Sequence, residues 1–345
     1  MILGIIAGAS LHALTTGNLL VNPSADSGTT GWTQTQGANF TTGTGHVAGA
    51  THDFIATSNG SLSHINQVVN VPAGWASRAA DGIAEVVFEF EYVTLGSDED
   101  RGRARIICWS GAGGSGNILG VRLGGALTAN TTTLSNLTMA IPAGTQSISV
   151  GFVCYRDSGT ELSFYWSHSN MYLQDGTIKV LPVYAREQPD STGWTVTTGT
   201  FTSCTSASAG PYGLASHFGG SQAALAYNEV FSADAAQLAM IATGSATLEL
   251  RILNWATNDS DQSRFYVECL DASDVVLATC NDNSAVISWG AWNTANDASR
   301  AQATYTVAVP VGTTKFKVRQ QFTRVDGTVN DAHTSQVSVV LTTPV

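Results

Sequence analysis

The sequence predicts an all-β protein built from two tandem β-sandwich domains that follow a short apolar N-terminal segment. Three observations carry this prediction: a pattern that occurs twice, short runs in which apolar and polar residues alternate, and frequent turn signals between those runs. Composition agrees with it. Charged residues make up 12% of the 345 residues, against about 25% in an average soluble protein.

The duplicated pattern defines the domain organisation, because several short matches keep the same order and nearly the same spacing. Gly-Trp-Thr at residues 31–33 recurs at residues 193–195, which is 162 positions later. The spacing has grown to 168 where Ile-Pro-Ala-Gly-Thr at 141–145 matches Val-Pro-Val-Gly-Thr at 309–313. We therefore expect three parts, an apolar segment, a first domain and a second domain, at residues 1–17, 18–178 and 179–345.

Within each copy, the alternating runs are predicted strands. Residues 84–93 read Ala-Glu-Val-Val-Phe-Glu-Phe-Glu-Tyr-Val, and an equivalent run lies at residues 246–255. A period of two places one face of such a run in the core. Prolines such as Pro72 and Pro310 mark strand ends, and short strands of this kind are typical of sandwiches or barrels. Helix evidence is confined to two turns at residues 233–239.

The glycine-rich stretch Gly-Ala-Gly-Gly-Ser-Gly at residues 111–116 fits the spacing of a dinucleotide-binding loop. Such a loop must open a helix on its third glycine. Residues 117–123 alternate as a strand does instead. We therefore predict a hairpin loop here, with residues 117–123 as the return strand.

The first nine residues are apolar and are not preceded by the basic region of a secretory signal peptide, so we expect no cleaved leader. An apolar terminus usually packs on something. It forms either the first strand of the first domain or a strand added to a neighbouring subunit.

The charge of the chain argues against several partners. The formal net charge is −11, and lysine occurs only at Lys179, Lys315 and Lys317. No basic stripe is therefore available for nucleic acid or for an anionic membrane surface. No run reaches the roughly 20 apolar residues that span a bilayer, so we expect no membrane insertion.

Five cysteines occur without metal-binding spacing, and an odd number does not indicate a disulfide framework. Most lie in alternating runs, where a reduced cysteine acts as a small core residue. A bridge between Cys269 and Cys280 across a hairpin is the alternative.

A resemblance to a known family rests on residues 18–28, Asn-Leu-Leu-Val-Asn-Pro-Ser-Ala-Asp-Ser-Gly, followed by Gly-Trp at 31–32. This opening resembles that of carbohydrate-binding modules with a galactose-binding-like jelly-roll fold. The resemblance implies jelly-roll-like domains in which Asn22 and Asp26 close off the first strand and Trp32 packs under the sandwich. In the second copy the opening differs, and Glu187 or Asp190 stands where Asp26 does. Similar modules occur in bacteriophage virion and tail proteins.

Aromatic side chains are the main candidates for a binding site, because sugar rings stack on Trp and Tyr while their hydroxyl groups bond to nearby polar groups. Trp75 and Trp109 stand alone in the sequence, and many tryptophans fill cores or subunit contacts instead. The candidate carbohydrate-binding residues form two groups, Trp289, Trp292 and Asn293 in one and Tyr155, Arg156 and Trp166 in the other.

Catalytic and metal-binding motifs are sparse. The seven histidines show no HxH or HExxH spacing, and no Gly-x-Ser-x-Gly elbow occurs. We therefore expect no enzymatic activity, although a carboxylate pair for glycoside cleavage is not local in sequence. No cofactor is expected apart from a structural calcium ion, for which the resemblance makes Asp26 the candidate ligand.

These observations lead to one hypothesis with two alternatives. The leading hypothesis is a non-enzymatic virion structural protein of a phage tail, baseplate or capsid-associated part. Its partners would be other virion proteins, copies of itself in a homo-oligomer and host surface glycans. The alternatives are a free pair of carbohydrate-binding modules and a glycan-degrading enzyme.

Overall fold

The fold is all-β, as the sequence predicts. Among the residues described there are 22 β-strands, two short α-helices and one 3₁₀ turn, Ala73–Trp75. The computed structural model describes residues 15–37, 40–56, 62–95, 101–155, 163–186, 193–200, 203–204, 216–220, 224–256, 261–281, 287–288, 302–325, 327–328 and 330–345.

The first domain is a sandwich of two antiparallel sheets, each with five strands among the described residues. Its strands are β1 (Thr33–Gly37), β2 (Thr41–Gly43), β3 (Asp53–Ala56), β4 (Leu62–Asn70), β5 (Ala84–Thr94), β6 (Arg101–Trp109), β7 (Ile118–Leu123), β8 (Thr133–Ala140), β9 (Ser147–Tyr155) and β10 (Phe164–Asp175). Sheet I has the order β1-β4-β9-β6-β7, and sheet II has the order β2-β3-β10-β5-β8.

Alternation along the strands builds the core of the first domain. On β5, Phe88 and Phe90 are fully buried while Glu89 between them lies on the outer face. The ring of Phe152 on β9 lies 4.8 Å from that of Phe90 and 4.9 Å from that of Trp166 on β10. Aromatic pairs of this kind contribute about 0.5–1.5 kcal/mol each beyond the area they bury. This cluster joins sheet I to sheet II.

The second domain has the same strand order as the first. Sheet III, β12-β15-β21-β17-β18, corresponds to sheet I, and sheet IV, β13-β14-β22-β16-β20, corresponds to sheet II. In addition, β11 pairs with β22 and β19 pairs with β17. The strands are β11 (Ile178–Arg186), β12 (Thr195–Thr198), β13 (Ser203–Cys204), β14 (Ser216–Gly220), β15 (Ala224–Ser232), β16 (Thr247–Ala256), β17 (Gln262–Leu270), β18 (Val276–Cys280), β19 (Ile287–Ser288), β20 (Ala303–Ala308), β21 (Lys315–Thr323) and β22 (Asn330–Pro344).

The duplication seen in the sequence is confirmed by these pairings. β15 begins 162 residues after β4, and β21 begins 168 residues after β9. Even a backbone irregularity recurs: His168 on β10 and Gln336 on β22, also 168 apart, both have left-handed φ, 49° and 50°. Each lies where the strand register shifts. Non-glycine residues seldom adopt this conformation, so the bulge belongs to the shared fold.

The chain enters the first domain along β10. The Thr16 amide donates to the Leu173 carbonyl at 2.9 Å, and the Leu19 amide donates to the Met171 carbonyl at 2.8 Å. β11 lies along β22 in the same way in the second domain. Residues 1–14 lie outside the described residues, so the packing of the apolar segment stays a prediction.

Two residues named by the family resemblance take the positions expected of them. The Trp32 side chain is 6% exposed, its ring lies 5.3 Å from that of Phe54, and its Nε1 donates to the Asn22 carbonyl at 3.3 Å. Asn22 Nδ2 donates to the Gly28 carbonyl at 2.7 Å and so closes the turn. Trp32 thus packs inside the sandwich, and Asn22 fixes the segment that leads to it.

Helices play a small part in the described residues. α1 (Ala76–Asp81) connects β4 to β5, and α2 (Ala235–Ala242) occupies the equivalent place in the second domain. The Gln237 amide donates to the Asp234 side chain, and the Asp234 amide donates to the Gln237 side chain. This reciprocal cap explains why α2 starts there. No helix among the described residues is long and apolar enough to cross a membrane.

The four cysteines whose side chains are described, Cys108, Cys154, Cys269 and Cys280, are buried and free. Cys280 faces Val267 across the hairpin of β17 and β18, and Cys269 faces Ala278. The alternative of a bridge between Cys269 and Cys280 is therefore wrong. Burial raises the pKa of the Cys108 thiol to about 12, which keeps it protonated and unreactive.

The two domains meet through the free edge of β7. Val121 and Leu123 on this strand are 0% and 2% exposed, and β7 packs against β11 and β22. The side chain of Gln302 takes the place of a neighbouring strand: its Oε1 accepts from the Leu123 amide at 3.1 Å, and its Nε2 donates to the Val121 carbonyl at 3.3 Å. Nε2 also donates to the Gln336 carbonyl at 2.8 Å. One side chain thus satisfies a sheet edge that would otherwise be buried without partners.

Replacing Gln302 with alanine should lower the free energy of unfolding by about 1–3 kcal/mol, because the buried Leu123 amide loses its partner. Urea denaturation measures the loss, and hydrogen exchange at the Leu123 amide should become faster. Gln174→Ala is the control, since Gln174 bonds to Glu85 on the outer face of sheet II. Equal stability of the two variants would contradict this account of the edge.

Candidate functional site

A groove of about 360 Å³ lies on the outer face of sheet I. Its floor comes from alternate residues of the central strands, whose intervening residues point into the core. On β9, Val150 and Phe152 are fully buried, and Ser149 and Gly151 are the residues on the outer side. Ser149 is 3% exposed and Gly151 is buried, so the middle strand contributes small, covered residues to the outer side of the sheet.

The strand register places the outward residues of three strands side by side at the groove. Asn66 on β4 and Arg105 on β6 are both paired with Gly151 on β9. Asn66 and Arg105 both line the groove, while the backbone of β4 lies directly against Gly151. In the next row, Ser149 lies between Val68 and Ile107.

Aromatic and apolar side chains form the wall at one end of the groove. Trp109, the last residue of β6, is half-buried, and Val68 is 40% exposed. The hairpin after Trp109 brings Gly113 and Gly114 to the same rim. An indole beside a polar floor is the arrangement that stacks on the apolar face of a sugar ring.

The glycine-rich stretch at residues 111–116 is the loop of the hairpin formed by β6 and β7, as predicted. The Gly113 amide donates to Asn70 Oδ1 at 2.8 Å, and the Gly114 amide donates to Ser147 Oγ at 2.9 Å. Both glycines have positive φ, 66° and 76°, which favours glycine there. These bonds hold the rim of the groove in place.

Two polar atoms at the groove lack partners among the described residues. Asn66 Nδ2 donates to Ser149 Oγ at 2.9 Å, while Asn66 Oδ1 is buried without a hydrogen bond. Trp109 Nε1 is likewise buried without an acceptor. Buried polar atoms are nearly always paired, so these two atoms are exceptions within the described residues at the groove.

The same face of the second domain is filled. Arg319 occupies the register position of Gly151, between Asn228 and Tyr266. Its Nη1 donates to Glu268 Oε1 at 3.0 Å, and its guanidinium lies 5.2 Å from the centre of the Tyr266 ring. Lys317 stands where Ser149 does in the first domain. Long charged side chains thus stand where the first domain has glycine and serine.

One of the sequence-predicted aromatic residues needs correction. Trp166 is 0% exposed and packs against Phe54, Phe152 and Phe164 in the core of the first domain. The alternation of β10 turns its ring inward, so it is not available to a sugar. Trp166 therefore supports the sandwich and does not bind a ligand.

The other predicted binding residues lie partly or wholly outside the described residues. Tyr155 ends β9, where it faces Leu62 and Arg101, but its side chain is not described. Arg156, Trp289, Trp292 and Asn293 lie outside the described residues. Their role in sugar binding stays a prediction.

Asp26, the predicted calcium ligand, lies at the surface of the first domain. Its Oδ1 is 3.0 Å from His52 Nδ1, and its side chain is 63% exposed. No group of three or more His, Cys, Asp or Glu side chains that could hold a metal ion occurs among the described residues. A calcium ion at Asp26 stays a prediction.

Trp109 is the candidate residue whose place in the groove the sequence did not reveal. It stands alone in the sequence, yet its spacing from Arg103 and Arg105 puts all three on one face of β6. This alternation is a sequence signal that Trp109 lies on the outward face of β6. The partners across the sheet, Asn66 and Ser149, came together only through the pairing of distant strands.

No protein-family model matches the chain, and no curated protein matches it. Among solved structures, the enzymatically active domain of tailspike protein 4 from bacteriophage CBA120 matches with 15% identity over 45% of this chain and 21% of that chain, at a TM-score of 0.35. A family 16 carbohydrate-binding module matches with 15% identity over 45% of this chain and 99% of its own, at 0.33. A tandem pair of family 22 carbohydrate-binding modules from Paenibacillus barcinonensis matches with 10% identity over 94% of this chain and 98% of that chain, at 0.31.

Replacing Gly151 with alanine should destabilise the first domain and distort the groove. A Cβ at this position would overlap the carbonyl oxygen of Ile65 and approach the Asn66 Cα to 2.6 Å. Overpacking against backbone costs about 1–3 kcal/mol, to be measured by urea denaturation. Gly125→Ala is the control, since a Cβ there meets no atom within 4 Å. An unchanged denaturation midpoint for Gly151→Ala would show that β4 and β9 lie further apart than described.

Proposed function

We propose that this chain is a non-enzymatic carbohydrate-binding protein whose first domain holds a sugar in the groove on sheet I. The observation that carries the proposal is the groove itself, which places the half-buried indole of Trp109 beside the polar side chains of Asn66 and Ser149. Sugars need both kinds of contact, since their C–H faces are apolar and their hydroxyl groups are polar.

The groove favours binding over catalysis. Glycoside hydrolysis generally needs a pair of carboxylates on either side of the scissile bond. The described residues that line the groove include neither Asp nor Glu. Ser149 is bonded to the Asn66 amide, which cannot act as a general base.

A glycan array followed by calorimetric titration tests the proposal. Trp109→Ala should weaken binding about tenfold or more, because aromatic anchors dominate binding energies. Ser149→Lys should abolish it, because it introduces the long side chain that fills the same place in the second domain. Lys317→Ser is the matched control and should bind as the wild type does. A wild type that binds no glycan, or binding that survives both groove variants, would refute the proposal.

We propose further that the protein is a structural component of a virion, with other virion proteins and copies of itself as partners. Surface features support an assembly role. Val275, Val276 and Leu277 are 55%, 47% and 38% exposed at β18, an edge strand of sheet III among the described residues. Exposed apolar edge strands are prone to pair with another chain.

Sedimentation velocity distinguishes a protein that assembles with copies of itself from a free pair of carbohydrate-binding modules. The wild type should sediment as an oligomer, and Val276→Lys should shift it toward the monomer, because a charged residue blocks edge pairing. Val325→Lys is the control, since Val325 is 56% exposed but lies outside the strands. A wild type that remains monomeric at high concentration would leave sugar binding intact but contradict assembly.

A further inference from the structure

The start of β11 covers one end of the first domain. The Val180 amide donates to the Gly82 carbonyl at 2.8 Å, and the Val180 carbonyl accepts from the Ala143 amide at 2.9 Å. Gly82 is buried by this contact, and a Cβ there would overlap the Val180 carbonyl oxygen. Ala143 packs against the hydrophobic core cluster of the second domain. Backbone bonds and apolar packing thus join β11 to this end.

The second domain repeats this end of the fold. Gly244 follows α2 as Gly82 follows α1, and the two glycines have φ of 73° and 71°. The Gly244 amide donates to the Ile241 carbonyl at 3.0 Å, as the Gly82 amide donates to the Ala79 carbonyl at 3.3 Å. The loops before β9 and before β21 are each closed by a threonine amide that donates to a proline carbonyl. The two ends therefore have the same backbone arrangement.

In the second domain, however, this end is uncovered. Gly244 is exposed although Gly82 is buried. Val311, which lies 168 positions after Ala143, is 65% exposed. Among the described residues, neither the Gly244 carbonyl nor the Val311 amide has a hydrogen-bond partner. The two backbone groups that hold β11 on the first domain are thus unpaired on the second.

Exposed apolar side chains surround these unpaired groups. A Cβ on Gly244 would meet the Val311 side chain at 3.7 Å, so these two residues are adjacent. Residues 275–277, at the start of β18, are 55%, 47% and 38% exposed. They lie at the same end, because β18 begins beside Leu270, whose carbonyl accepts from the Thr314 amide at 2.8 Å. We call Gly244, Val311 and residues 275–277 the end patch, and such apolar patches mark contacts with partners.

The first domain carries the counterpart of β11. The entry segment, residues 15–19, lies along β10 as β11 lies along β22. Thr15 faces Gln174, and Val180 faces the residue 168 positions after Gln174. Because the Thr16 amide bonds to the Leu173 carbonyl, the amide and carbonyl of Thr15 point away from β10. Thr15 therefore stands where Val180 does, but it is exposed.

We infer that the end patch of one copy of the chain binds the entry segment of a second copy, with Thr15 in the place of Val180. This inference rests on the assembly role proposed above and specifies the two surfaces that meet. The Thr15 amide donates to the Gly244 carbonyl, and the Val311 amide donates to the Thr15 carbonyl. The two surfaces differ and each copy carries one of each, so the copies join head to tail.

The side chains on both surfaces suit this contact. The entry segment and the end patch contain no charged residue, so binding desolvates no charge of theirs. The counterpart of Gln302, which covers the edge of β7, is Leu134 on β8, 168 positions earlier. Leu134 is 70% exposed. Its burial against β18 of a second copy removes apolar surface from water and favours association.

Sedimentation velocity on the full chain over a series of concentrations tests the inference. Within one chain, the contact between the domains benefits from their covalent link, which corresponds to an effective concentration on the order of millimolar. Two copies lack this link, so their association should increase with protein concentration. The wild type should form species larger than a dimer, because each added copy brings a free end patch.

Two variants block the two surfaces separately. Val311→Asp places a charge in the end patch, and Thr15→Pro removes the amide that bonds to Gly244. Each should associate about tenfold or more weakly than the wild type, because a buried polar group or charge is left without a partner. The matched controls are Thr15→Ala, which keeps the amide, and Val325→Asp, which places the charge in the loop between β21 and β22 at the other end of the second domain. Both controls should associate as the wild type does.

A mixture of the two blocked variants identifies the geometry. The intact entry segment of Val311→Asp fits the intact end patch of Thr15→Pro. An equimolar mixture should therefore form a one-to-one dimer at a concentration where neither variant associates alone, and this dimer should not grow. Far-ultraviolet circular dichroism checks that both variants are folded.

The outcomes separate this inference from the proposed function. A wild type that associates, with folded variants that do not complement each other, would overturn the head-to-tail contact and leave an assembly role through β18 in place. Association of Thr15→Pro equal to that of the wild type would overturn the role of the entry segment. A wild type that stays monomeric throughout would overturn both the inference and the assembly role, while the glycan array judges sugar binding independently.

Discussion

The structure depends on one constraint, which is that every strand of a two-sheet sandwich must bury alternate residues between the sheets. In the first domain this places Phe88, Phe90, Phe152 and Trp166 in one aromatic cluster. Once these inward positions are occupied, the outward positions of the same strands are free to differ without loss of the core. The groove on sheet I is built from such outward positions.

This freedom explains how two domains with one strand order have different surfaces. Most inward residues of β9 and β21 are apolar in both copies, for instance Val150 and Val318, although the buried Gln320 stands where Phe152 does. The outward residues differ in size and charge, Gly151 in one copy and Arg319 in the other. The β4 backbone lies directly against Gly151, whereas Arg319 carries a long side chain that pairs with Glu268. Duplication thus preserved the fold while the outward residues diverged.

The contact between the domains follows from the need to satisfy backbone groups at a buried edge. A free edge strand such as β7 exposes amide and carbonyl groups that attract other strands. Here the second domain covers that edge, and the side-chain amide of Gln302 bonds to both Val121 and Leu123. The edge that would otherwise recruit another chain is occupied within the chain. β18 in the second domain has no such cover among the described residues.

The sequence by itself determined the all-β class, the duplication and the hairpin after Trp109, because alternation, repeat spacing and turn residues are local signals. It also fixed the place of Trp32 through the opening motif. The helix at α2 was visible from its short apolar stretch, although its exact bounds follow from the Asp234 cap. These features need only the neighbouring residues of the chain.

Only the tertiary structure decided where the candidate site lies. Trp166 and Trp109 look alike in sequence, but one turns into the core and the other forms the groove wall, because a shift of one position in register reverses the face of a strand. The bulges at His168 and Gln336 are such shifts, and no local residue signals them. Asn66, Ser149 and Arg105 lie far apart in the chain and meet only through strand pairing. The location of the site therefore depends on the register of β4, β9 and β6, which the sequence alone does not show.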